Sequence, residues 1–101
     1  MMSRTIKPDT VVTVKYFNLV RDLVGKDIDK ITLNVGSTVG DLLDIIRENY
    51  DGRVLEYLFT SAGALKPYIR IVRENTSKQE KPDSVLSDGD EICLFVATSG
   101  G

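Results

Sequence analysis

Thr38-Val39-Gly40-Asp41-Leu42-Leu43-Asp44-Ile45-Ile46-Arg47-Glu48-Asn49-Tyr50 is the stretch on which the fold turns. Val39, Leu42, Leu43, Ile46 and Tyr50 recur at i, i+3, i+4, i+7 and i+11, which is one face of a helix. Thr38 with Asp41 three residues later has the form of a capping box, in which hydroxyl and carboxylate each satisfy a backbone amide at the helix start. Asp51-Gly52 breaks the segment, after which Val54, Leu55, Leu58 and Phe59 supply one or two further helical turns. A helix with one apolar stripe needs a sheet or a second helix to cover that stripe.

The segments on either side read as strands. Upstream, Val12, Val14 and Tyr16 alternate with Thr13, Lys15 and Phe17, the pattern of a strand with one buried face. Asn18 is placed to cap a short amphipathic turn, Leu19 to Val24, which Gly25 stops. Lys30 to Val35 alternates again, with Ile31, Leu33 and Val35 on one face and Gly36-Ser37 as punctuation, so the two strands suggest a hairpin.

Downstream, Tyr68 to Arg73 predicts a third strand. Glu74 to Asp83 is polar, contains Pro82 and has no apolar period, which predicts a loop. Ser84 to Ser87 reads as a short turn, Asp88-Gly89-Asp90 as a tight turn, and Glu91 to Val96 as the last strand. Residues 1–9 are expected to be a disordered polar leader, 10–96 the domain, and 97–101 a flexible tail ending Gly-Gly. The element order gives an α+β domain, a mixed sheet of four to five strands with one main helix on one face.

Composition narrows the chemistry. The chain has 101 residues, 42% hydrophobic and 28% charged, which suits one globular core. With one cysteine, Cys93, and no histidine, it excludes disulfide frameworks, Cys/His zinc sites, and Ser-His or Cys-His nucleophile pairs within the chain. A net charge of -2 argues against a nucleic-acid surface, which rests on clustered Lys and Arg, and points to protein partners. No run of about 18 apolar residues occurs and the first nine residues lack a signal-peptide core, so a membrane is not expected as a partner and the protein is expected to be cytoplasmic.

Two segments resemble the small-subunit family of molybdopterin synthase, the MoaD-like proteins, and more distantly the thiamine-pathway (ThiS-like) sulfur carriers and ubiquitin. The first is Val14-Lys15-Tyr16-Phe17-Asn18-Leu19-Val20-Arg21-Asp22-Leu23-Val24-Gly25, similar to the family's aromatic strand end followed by an Arg-acid-Leu-x-Gly turn. The second is Leu86-Ser87-Asp88-Gly89-Asp90-Glu91-Ile92-Cys93-Leu94-Phe95-Val96 with its Ala97-Thr98-Ser99-Gly100-Gly101 end. The resemblance implies a ubiquitin-like β-grasp fold with the first and last strands adjacent. Val96-Ala97 stands where molybdopterin-type carriers commonly have prolines, and is closer to the thiamine-type ending. The Tyr16 to Gly25 segment and the chain length look more like the molybdopterin type.

The resemblance also implies a chemistry. An α-carboxylate with a pKa near 3.5 is anionic at neutral pH, so Gly101 can attack the α-phosphorus of ATP to give an acyl-adenylate. A sulfur nucleophile then displaces the adenylate and leaves a thiocarboxylate on Gly101. Gly100 gives access, because a residue without Cβ passes a narrow channel. The ATP and the catalytic groups belong to a ubiquitin-activating-type adenylyltransferase, with a sulfur donor protein and the molybdopterin synthase large subunit as further partners. The chain itself is expected to bind no cofactor or metal and to be a carrier subunit rather than an enzyme.

Phe17 and Phe95 lie on the sheet side away from the helix, and the resemblance assigns partner contacts there, with Ser99 in the tail a further candidate. They either form one exposed apolar patch or pack under the 74–83 segment. Cys93 shares that face but has no identifiable base or cation to activate it, so it reads as a passive strand residue. Arg21 reads as a solvated arginine or an acidic partner's contact, and Asp88 and Asp90 as turn residues. Three function classes follow: a sulfur carrier for molybdenum or tungsten cofactor synthesis, or for thiamine or tRNA thiolation; a ubiquitin-like modifier joined to lysines through Gly101; and an interaction domain with an inert tail.

Overall fold

The computed structural model describes residues 9–76 and 78–97. Strand β1 (Asp9–Tyr16) leads into the short helix α1 (Asn18–Val24) and strand β2 (Ile28–Asn34). The main helix α2 (Val39–Asn49) and the short α3 (Arg53–Leu58) follow, then β3 (Ile69–Arg73), β4 (Lys78–Gln79) and β5 (Glu91–Val96). The five strands form one sheet in the order β2-β1-β5-β3-β4, in which β1 and β5 run parallel and every other pairing is antiparallel.

The periodicities decide which face is buried. Val12, Val14 and Tyr16 of β1, Ile31 and Leu33 of β2, Ile69 and Ile71 of β3, and Ile92 and Leu94 of β5 are all buried on one face. Val39, Leu42, Leu43 and Ile46 of α2 close over them. Full burial of a Leu or Ile side chain contributes about 1.5–3 kcal/mol, so this stripe is what fixes α2 on the sheet. The capping box is present: Asp41 N donates to Thr38 Oγ1 at 3.3 Å and Thr38 N to Asp41 Oδ2 at 2.9 Å. Gly25 ends α1 with φ 87°, and Gly89 turns the chain into β5 with φ 88°, both in the left-handed region that a Cβ disfavours.

Four expectations need correction. Asp9, expected in the polar leader, belongs to β1, where it pairs with Asn34. Val35 lies outside β2 and is 62% exposed, because Gly36 turns the chain before the alternation can continue. The 74–83 segment is not wholly irregular: Lys78 and Gln79 form β4, paired to Arg73 and Val72 at the sheet edge. Finally, Asn18 does not cap α1; Phe17 occupies that position with no side-chain cap hydrogen bond. Val85 of the predicted 84–87 turn bridges to Thr38, and Leu86 is buried in the core.

Candidate functional site

The sheet register brings the outward residues of four strands together. Lys15 of β1 is paired with Ile28 of β2 and Cys93 of β5, and Cys93 in turn with Val72 of β3, while Arg70 is paired with Phe95. Between these positions lies a groove of about 810 Å³ that includes Lys15, Phe17, Ile28, Val72, Cys93 and Phe95 in its lining. Phe17 is 44% exposed and Phe95 half-buried, so both aromatics line one open groove on the face opposite α2. Among the described residues of the polar segment after β3, Glu74 at its start lines the groove.

One end of the groove is charged. Lys15 Nζ lies 2.8 Å from Glu74 Oε1 and 3.3 Å from Glu91 Oε1. The hydrogen bond to Glu74 raises the Lys15 pKa, and the same bond lowers that of Glu74. Both carboxylates are solvent-exposed and Lys15 is half-buried, so the pairs add little to stability. Glu74 lies 59 positions from Lys15 in the chain, so no local pattern announces the pair.

Cys93 is buried, with Sγ 3.8 Å from Glu74 Oε1. Burial pushes its thiol pKa up, and the Glu74 charge adds to this against the smaller opposing effect of Lys15. The fold therefore does bring a cation beside Cys93, but the environment still disfavours the thiolate that a relay or thioester would require. Asp88 and Asp90 are used by the fold. Asp88 Oδ1 accepts from Val11 N at 2.8 Å, and Asp90 Oδ2 from Ser87 N at 2.7 Å. Arg21 is paired with Asp27 at 3.7 Å and Asp22 at 3.9 Å on an open surface.

Beyond the groove, β5 delivers the chain toward its C-terminal end. Phe17 N donates to Leu94 O at 3.1 Å, Val96 N to Asn18 Oδ1 at 3.2 Å, and Ala97 N to Tyr68 O at 2.8 Å. Ser99, Gly100 and Gly101, the tail candidates, lie outside the described residues, as do residues 1–8. The role of Asn18 is one that sequence reading missed. An Asn between a strand and a helix has the look of a cap, and the long-range bond to Val96 leaves no local signature.

A second cleft of about 430 Å³ sits on the helix side at the β3 edge, lined in part by Leu43, Arg47, Leu65, Ile69 and Pro82. It is separate from the groove and from the tail root. Among the described residues no group of three or more His, Cys, Asp or Glu could hold a metal ion, and no helix is long and apolar enough to cross a membrane.

A mixed five-stranded sheet grasping one main helix, with parallel first and last strands, defines the chain as a ubiquitin-like β-grasp protein of the small sulfur-carrier and modifier class. Residues 14–101 match the ThiS family, and the chain belongs to that family. It is 26% identical over 90 residues to small archaeal modifier protein 3 of Haloferax volcanii, an alignment covering 87% of this chain and 96% of that one. The crystal structure of SAMP1 from Haloferax volcanii superposes with a TM-score of 0.76 at 26% identity, covering 90% of this chain and 99% of the other. A putative molybdopterin converting factor subunit 1 from Pyrococcus furiosus gives a TM-score of 0.71 at 28% identity, covering 88% and 99%.

Proposed function

We propose that the chain is a sulfur carrier of the molybdopterin synthase small-subunit type, working in the cytoplasm and reacting through Gly101. The carrier part of this reading is supported by the ThiS family match, which runs from β1 through Gly100-Gly101, and the molybdopterin type by the likeness to a putative molybdopterin converting factor subunit 1. In the first step a Gly101 carboxylate oxygen bonds to the α-phosphorus of ATP and pyrophosphate leaves. In the second, hydrosulfide adds to the Gly101 carbonyl carbon and AMP leaves, so that a thiocarboxylate remains; a donor protein's persulfide first gives an acyl disulfide, whose S–S bond a thiol reductant then cleaves to release the donor thiol and the thiocarboxylate. Both steps are catalysed by a partner adenylyltransferase of the ubiquitin-activating type, supplied by a sulfur donor protein, and the synthase large subunit consumes the sulfur. The chain binds no cofactor of its own, and Phe17 and Phe95 hold the partner at the groove.

The test is intact mass spectrometry after incubating the full chain with such an adenylyltransferase, ATP and a sulfur source. The mass gain of one oxygen-to-sulfur exchange at the C-terminus is expected, followed by molybdopterin formation when the large subunit and its substrate are added. No gain with an adenylyltransferase shown to be active on another carrier sinks the reading. Loading without molybdopterin formation leaves a carrier for thiamine or tRNA thiolation.

A second reading is supported by the names of two relatives, small archaeal modifier protein 3 and SAMP1. In it a lysine amine, rather than sulfide, takes the activated Gly101 carbonyl and forms an isopeptide bond. Gly-Gly remnants on target lysines in cells expressing the chain are its expected signature, and their complete absence counts against it.

A further inference from the structure

We propose that Asn18 is a positioning residue that fixes the point and direction in which the C-terminal segment leaves the sheet. The parallel ladder between β1 and β5 ends with Phe17 N donating to Leu94 O. In a parallel ladder the next bond would run from Val96 N to the Phe17 carbonyl. As α1 begins that carbonyl instead accepts from Arg21 N at 3.2 Å, and Val96 N is not bonded to it. The Asn18 side chain supplies the missing acceptor, with Oδ1 3.2 Å from Val96 N.

The backbone makes a second demand at the same residue. Asn18 has φ 44°, and it is the one non-glycine residue with positive φ among those described. Asn and Asp tolerate this region better than other side-chain-bearing residues, and Gly tolerates it but carries no acceptor. Asn or Asp therefore meets both requirements, where Gly meets one and Ala neither. On the opposite side, Ala97 N donates to Tyr68 O at 2.8 Å. Two consecutive amides, Val96 and Ala97, are thus held from the two sides of β5, by the first residue of α1 after β1 and by the residue just before β3.

The consequence for reaction rests on the carrier reading above. Gly101, the reactive residue of that reading, stands four residues after Ala97. Whatever their conformation, four residues reach at most about 14 Å. Over that length a change of about 20° in exit direction displaces the far end by roughly 5 Å, whereas misplacements of about 1 Å already slow reactions strongly. Holding Val96 and Ala97 limits this spread while the groove is docked, so the bond acts on turnover rather than on docking.

The experiment compares Asn18→Gly and Asn18→Asp with the wild-type chain. Amide hydrogen exchange at Val96 is read in the isolated protein, and steady-state loading is read with a ubiquitin-activating-type adenylyltransferase, ATP and sulfide. For Asn18→Gly, which keeps the positive φ and removes the acceptor, Val96 exchange rises about tenfold. Its loading kcat falls about fivefold with KM within about twofold of wild type. Asn18→Asp restores both. Unchanged Val96 exchange in Asn18→Gly overturns the clamp itself. Faster exchange with unchanged kcat, or equal losses in the Gly and Asp variants, overturns the positioning role. If the wild-type chain is not loaded, the carrier reading and the reactive consequence fail together, and the exchange result then reports on the clamp alone.

Discussion

Asp29 collects three donors. Its Oδ2 accepts from Tyr16 Oη at 2.8 Å and Tyr50 Oη at 2.6 Å, and its Oδ1 lies 3.0 Å from Lys26 Nζ. Burial alone would raise its pKa, but the hydrogen bonds from Tyr50, Lys26 and Tyr16 and the Lys26 charge outweigh this and hold it below the ordinary value. A carboxyl lowered in the folded state stabilises the fold above its unfolded pKa, near 4, and that stability is lost as pH falls through the folded value. Tyr16 and Tyr50 are raised, first by burial and then by Asp29, so their contribution is full below about pH 10 and is lost above it. Asn in place of Asp29 should lower stability at pH 7 by about 2 kcal/mol, a Tm drop on the order of 10 °C. The gap to wild type should narrow below about pH 4 in thermal melts across pH. Cys93 makes the opposite kind of prediction. Being buried with a raised pKa, it should resist iodoacetamide in the native chain, and Cys93→Ala should leave the kcat of loading within about twofold of wild type. At this scale sequence shows what a residue does to its neighbours in the chain, as Thr38 and Asp41 did. It does not show Asp29 with Tyr50, because the 21 positions between them are spanned only after the sheet and helix have met.

The N-terminus of α2 shows the same division among elements. Its first amides are satisfied by two sources. Thr38 and Asp41 bond reciprocally, while Val39 N donates to Ser84 O at 2.9 Å and Gly40 N to Pro82 O at 2.8 Å. A Cβ at Gly40 would sit 3.2 Å from that Pro82 oxygen, so glycine is what lets the 82–84 segment come this close. Arg73 at the end of β3 holds the rest of that segment. Its Nη1 lies 3.1 Å from Asp90 Oδ2, Nη2 donates to Val85 O at 3.0 Å, and its Nε is 3.4 Å from Glu80 Oε2 without a hydrogen bond of its own. The side chains of Arg73, Glu80 and Asp90 are 20%, 11% and 13% exposed, so these carboxylates have little water to fall back on. Met in place of Arg73 leaves both uncompensated and should cost about 3 kcal/mol in urea unfolding. Adding Glu80→Gln should recover part of that loss, as expected for coupled neighbours. The alternation of β3 and β5 was legible because their buried faces are continuous. β4 was not, since two exposed polar residues have no period to read and exist as a strand only because Arg73 and Val72 offer an edge.

The molecule as a whole is a sheet covered on one side by α2 and open on the other, and its two faces serve different ends. Alternation in β1 and β5 was enough to set Phe17 and Phe95 on the open side. Their adjacency required the parallel pairing of the two chain-distant strands, which no periodicity encodes and which the resemblance implied. Val96-Ala97 in place of prolines has a physical reading too, since each of these residues donates a backbone N–H hydrogen bond that proline could not make. If the open face docks the partner, substitutions in the groove should act on binding, whereas those at the tail root act on turnover. Phe17 is 44% exposed, so Phe17→Ala removes contact area for a partner while exposing little core, and Tm should move by only a few degrees. Loss of an aromatic anchor at the centre of an interface costs about 1–2 kcal/mol, which is roughly a tenfold rise in KM for loading with kcat unchanged. Val35→Ala is the control, because Val35 is 62% exposed yet stands outside the residues that line the groove. Steady-state loading of the two variants separates the possibilities. A rise in KM confined to Phe17→Ala places docking on the open face, and equal kinetics for both removes that face from the partner's footprint.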